Sequence, residues 1–63
     1  MNNREKLIDI MVEHELERIE LALMLKVKNN MIDHWLLPNE SSNHEEMPDM
    51  AIELLELKLG MQS

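Results

Sequence analysis

Four positions constrain the fold of this chain more than any others: Ala22, Val27, Ile32 and Trp35. Ala22 is small, as required where a neighbouring helix must come close. Val27 lies five positions on and anchors a tight turn, Ile32 lies five further and faces inward, and Trp35 follows three later. A small residue with apolar ones at these offsets packs two short helices across a turn of about three or four residues. The spacing predicts helices at about 17–25 and 29–36, interrupted by Lys26-Val27-Lys28.

The flanking sequence adds two more helices. Asn2 or Asn3 is a natural N-cap for a first helix over 4–14, with Leu7, Ile8, Met11 and Val12 as its apolar stripe. In the second helix, Ile19, Ala22 and Leu25 are expected on one face. Pro38 ends the third helix, and the polar run through Glu46 has loop chemistry. A last helix opens at Pro48, with acidic Asp49 at its positive end, and runs through Ala51, Ile52, Leu54, Leu55 and Leu59 to a stop at Gly60. The expectation is an all-α, compact four-helix fold, with residues 1–63 forming a single domain and no internal repeat.

Composition agrees. Leu, Met, Glu and Lys dominate, Phe, Tyr and Thr are absent, and there is one Gly, which favours helix over sheet. A chain of 63 residues buries only about 60% of its unfolded surface, so its core is thin. With no cysteine, neither disulfides nor thiolate metal sites can reinforce that core, and a partner chain becomes the expected support. No apolar run is long enough to cross a membrane. The opening residues do not read as a secretion signal, so the expected setting is cytoplasmic. The 13 acids against 6 bases, net charge -7, set a field that repels polyanions at long range.

The run Leu16-Glu17-Arg18-Ile19-Glu20-Leu21-Ala22-Leu23-Met24-Leu25-Lys26-Val27-Lys28-Asn29-Asn30-Met31-Ile32-Asp33-His34-Trp35 resembles the helix-turn-helix of the phage Cro and repressor family. There the run often reads Leu-Thr-Gln-x-x-Leu-Ala-x-x-Leu-Gly-Val-Ser-x-x-x-Ile-x-x-Trp. Downstream, Met47-Pro48-Asp49-Met50-Ala51-Ile52-Glu53-Leu54-Leu55 looks like the Ile-Pro-x-Trp-Ala-x-x-Leu-Leu segment of many short phage regulators. The resemblance covers about residues 7–59, mostly at packing positions. It implies a helix-turn-helix domain that reads a double-stranded DNA operator as a homodimer.

Carried over position by position, the resemblance assigns base reading to Lys28, Asn29, Asn30, Asp33 and His34, and phosphate contacts to Arg18, Lys26 and Lys28. Asn29 or Asn30 could pair with adenine N6 and N7, and Asp33 could accept from cytosine N4. The chain departs from the family at three places. Lys26 stands where the turn glycine is usual, and a non-Gly residue in left-handed backbone costs about 1–2 kcal/mol. Glu17-Arg18 replaces the usual Thr-Gln, setting a carboxylate near the DNA backbone. Leu23 and Met24 occupy positions that are usually polar, so they either cover the first helix or form a protein interface.

Apolar Leu54, Leu57 and Met61, beside the main stripe of the last helix, suggest a C-terminal dimer seam. His14-Glu15 and His44-Glu45 each begin an H-E-x-x-H pattern that Arg18 and Pro48 leave incomplete, so no metal or cofactor is expected. No convergent catalytic group is legible, and an enzyme is not expected. Two functions remain. One is a small DNA-binding transcriptional regulator of phage or mobile-element type. The alternative is an acidic inhibitor on the same frame that binds a host or phage protein, antirepressor or anti-CRISPR-like, with Glu13, Glu15, Glu17 and Glu20 imitating phosphates.

Overall fold

Asn2 sits in extended backbone and its side chain accepts from the Glu5 N–H at 2.9 Å, satisfying one of the open donors that start the first helix. In the computed structural model, which describes residues 2–61, four helices follow: α1 Asn3–Glu13, α2 Arg18–Leu25, α3 Asn29–Leu36 and α4 Asp49–Lys58. There is no strand among the described residues. The all-α, four-helix expectation holds, and α3 has the expected bounds. The other boundaries shift by a residue or so, because Asn2, Glu17 and Pro48 stand outside their helices as N-caps and Leu59 closes α4.

Three helices end in the same way, and only one uses glycine. After α1, Glu15 is left-handed (φ 53°) and Leu16 N–H bonds back to Met11 O at 2.9 Å. After α2, Lys26 is left-handed (φ 57°) and Val27 N–H bonds to Ala22 O at 3.0 Å. After α4, Gly60 is left-handed (φ 70°) and Met61 N–H bonds to Glu56 O at 2.9 Å. This is the Schellman closure, in which the residue beyond the left-handed one folds onto the helix and carries an apolar contact. Leu16, Val27 and Met61 are those residues, and all three pack against the core. The end of α3 differs: Leu37 is extended ahead of Pro38, the backbone a residue before proline prefers.

The core draws on every helix. Leu7 and Ile10 of α1, Leu21, Ala22 and Leu25 of α2, Ile32 and Trp35 of α3, and Ile52 and Leu55 of α4 are buried together. Ala22, Ile32 and Trp35 thus lie inward as their spacing predicts, with Val27 half-buried beside them. The radius of gyration, 11.0 Å, is close to the roughly 10.6 Å expected for this length.

Two faces differ from the sequence expectation. Val12 is 74% exposed, while Ile10, outside the expected stripe, is buried. The inward line of α1 runs Asn3, Leu7, Ile10, and Val12 lies well round the helix from it. In α2, Ile19 is 53% exposed and Leu21 fully buried, because the inward line is Leu21, Ala22, Leu25.

The loop between α3 and α4 is tied down at several points. Ser41 N–H bonds to Pro38 O at 2.9 Å, His44 N–H to Ser41 O at 3.2 Å, and Glu45 N–H to His34 O on α3 at 3.1 Å. Met47, only 1% exposed, then plugs the core just before α4. Asn3 fixes that junction: its buried Nδ2 donates to Met47 O at 2.6 Å and to Asp49 Oδ1 at 2.8 Å. Of the two asparagines that could cap α1, Asn2 does so and Asn3 joins α1 to the start of α4. Arg4 adds a second tie, its Nε donating to Leu36 O at the end of α3 at 3.1 Å.

Candidate nucleic-acid interface on α3

With Ile32 and Trp35 inward, the outer face of α3 carries Asn30, Asp33 and His34, and its first turn carries Asn29. Lys28 caps the helix from extended backbone, and the left-handed Lys26 turns the chain from α2 into it. Lys26, Lys28, Asn29 and Asn30 are all exposed, and among the described residues none of them has a side-chain hydrogen bond or ion pair. This corner therefore presents two ammonium groups and two carboxamides at the positive end of a helix.

The rest of the face is occupied from within. Arg18 Nη1 at the start of α2 lies 2.5 Å from Asp33 Oδ1, both side chains remaining more than half exposed. His34 Nδ1 lies 3.1 Å from Glu45 Oε2 of the returning loop. In this arrangement Arg18 is engaged by a carboxylate, and Asp33 already has a donor. The α3–α4 loop brings a further acid to α3. The backbone bond between Glu45 and His34 brings one carboxylate onto its C-terminal half.

The acids at the start of α2 have a structural use. Glu20 Oε1 accepts from the Glu17 N–H at 2.8 Å, the back-bond of a capping box. The usual Thr is missing from this N-cap, yet the reciprocal partner three residues on is present.

The apolar candidates divide. Leu23 is 73% exposed and does not cover α1, whereas Met24 packs against the core and is only half available to a partner. Leu54 and Leu57 are exposed on α4, but Met61 packs back over the core as part of the helix closure. Met50, which sequence reasoning passed over, is 80% exposed. With Leu54 and Leu57 it forms an outer stripe at helical spacing, opposite the inner stripe of Ile52 and Leu55. That spacing was the available signal.

Against protein-family models, curated proteins and solved structures alike, the chain has no match.

Proposed function

We propose that this chain is a small helix-turn-helix DNA-binding regulator of phage or mobile-element type, acting as a homodimer with α3 in the major groove. The observation that carries the reading is the open corner formed by Lys26, Lys28, Asn29 and Asn30, exposed and without internal partners. Docking a helix by its N-terminal residues is how such domains reach base edges. Lys26 and Lys28 take phosphates. Asn30, on the outer face, pairs with adenine through N6 and N7, and Asn29 lies beside it.

The internal pairs set the expected strength. With Arg18 held by Asp33, two lysines per subunit remain for phosphate, or four per dimer, for a salt slope of about −3.6. That is weak, salt-sensitive binding, in keeping with a chain of net charge -7. Selection from a randomised duplex pool at low salt tests the reading: an enriched palindrome with half-sites about one helical turn apart supports it. A folded protein that enriches nothing overturns it.

A second reading, an acidic inhibitor that binds a host or phage protein, is favoured by one observation: Asp33 and Glu45 both place carboxylates along α3. Affinity capture under conditions where DNA is digested tests it. A stoichiometric protein partner lost on Asp33→Lys supports this reading, and capture of no partner counts against it.

A further inference from the structure

An open groove of about 380 Å³ runs between α1, the start of α2 and the end of α3, on the flank of α1 beside its buried line. Its floor and walls are apolar: Ile8, Met11, Val12, Leu16 and Leu36. Arg4 and Arg18 also line it, and no carboxylate does. In a chain with 13 acids and only 6 bases, this apolar trough has no carboxylate in its lining, and with Arg18 held by Asp33 its cationic edge is Arg4. Val12, a wall of this groove, is 74% exposed, a cost that burial by a partner would remove.

The complementary shape is present on the same molecule. The outer stripe of α4, Met50, Leu54 and Leu57, is apolar and exposed, and it is bordered by Glu53, three residues after Met50 and four before Leu57. A helix with an apolar ridge and an acidic edge is what an apolar groove flanked by arginines accepts. The volume is within the range of about 300–1,000 Å³ typical of ligand pockets, enough to take several side chains of such a ridge.

We infer that the α1/α2 groove of one copy receives the outer stripe of α4 from a second copy. Val12 and its apolar neighbours cover Leu54 and Leu57, and Arg4 faces Glu53. Made reciprocally about a two-fold axis, the contact closes a dimer in which each groove takes the partner's stripe, unlike a seam in which α4 meets α4. The inference rests on the self-association in the proposed function and is independent of DNA binding.

The test uses two full-length variants at exposed positions, Val12→Glu in the groove and Leu57→Glu on the stripe, each checked for folding by helical circular dichroism. Sedimentation velocity is expected to show self-association of the wild type weakened at least tenfold in each variant alone. An equimolar mixture of the two is expected to associate again, because the intact stripe of the Val12→Glu chain meets the intact groove of the Leu57→Glu chain. Self-association lost in Leu57→Glu but unchanged in Val12→Glu assigns the contact to α4 against α4 and overturns the inference. So do variants that both associate like the wild type, a mixture that fails to recover, or a wild type that stays monomeric at millimolar concentration. In each of those cases, duplex selection by the wild type still decides the DNA reading separately.

Discussion

Arg18 and Asp33, fifteen residues apart in sequence, meet at 2.5 Å across the α2–α3 corner. Arg18 carries a guanidinium that the resemblance assigns to phosphate, and Asp33 is the one acid of α3. Their pairing bridges the two helices and gives each charged group a partner within the chain. Being exposed, the pair adds little stability, about 0–1 kcal/mol. Its consequence lies in the proposed DNA reading.

Replacing Asp33 with Ala is expected to release Arg18 and remove a carboxylate from the face proposed to meet DNA. Duplex affinity at low salt should rise, and the salt slope should steepen by about 0.9 for each further phosphate that the freed Arg18 neutralises. Fluorescence anisotropy across a salt series measures both quantities. A loss of affinity confined to sites with a cytosine at one position would instead show that Asp33 reads a base directly.

Asn3→Ala removes a buried donor that serves both Met47 O and Asp49 Oδ1, leaving the Met47 carbonyl without that partner. The expected cost is about 1–3 kcal/mol, a large share of the stability of so small a domain. Urea unfolding followed through Trp35, the single tryptophan and 4% exposed, gives the value. A change below about 0.5 kcal/mol, the size of an ordinary surface substitution, would mean that the junction of α1 with α4 does not depend on this side chain.

The phase of α1 can be checked with a matched pair. Ile10→Ala, at a site 4% exposed, is expected to cost about 2–5 kcal/mol, and Val12→Ala, at a site 74% exposed, to stay within about 0.5 kcal/mol. Equal costs in urea unfolding would contradict the observed rotation of the helix.

Left-handed backbone is occupied by Lys26 after α2 and by Gly60 after α4. Lys26→Gly relieves a side chain in a conformation costing about 1–2 kcal/mol, partly offset by the greater entropy of glycine in the unfolded chain. A net gain of up to about 1 kcal/mol is expected. Gly60→Ala should destabilise by about 1 kcal/mol through φ alone, since an added Cβ there meets nothing within 4 Å. Thermal melts of both variants test the pair, and a lowered Tm for Lys26→Gly with an unchanged or raised Tm for Gly60→Ala would refute the cap geometry.

The α2–α3 corner was legible in the sequence because its determinants are local. Ala22, Val27, Ile32 and Trp35 lie within fourteen positions, and only one arrangement of two short helices buries them together. The left-handed turn at Lys26 was legible only through the resemblance, which sets Lys26 at the usual place of the turn glycine. The rotation of α1 was not legible, since five of the six positions from Leu7 to Val12 are apolar and the helical period has no clear phase there. Nor could the sequence show that Arg18 is held by Asp33 or His34 is met by Glu45. Those contacts depend on how the corner closes and on the path of the loop, which Met47 and Asn3 fix through partners more than forty positions apart. Which residues occupy the turn and the outer face of α3 was therefore readable in advance. How their charges pair depended on tertiary structure.

The central claim, that the corner from Lys26 to Asn30 reads duplex DNA, is tested most directly by anisotropy titration of a duplex selected by the wild type, compared with Lys28→Ala and Asn30→Ala. Lys28→Ala is expected to weaken binding to all duplexes alike and to reduce the salt slope by about 1 per subunit. Asn30→Ala is expected to leave that slope unchanged and to lose about 1–3 kcal/mol of discrimination at one adenine per half-site. Folded variants that bind the selected duplex with wild-type affinity and wild-type salt dependence would contradict the claim.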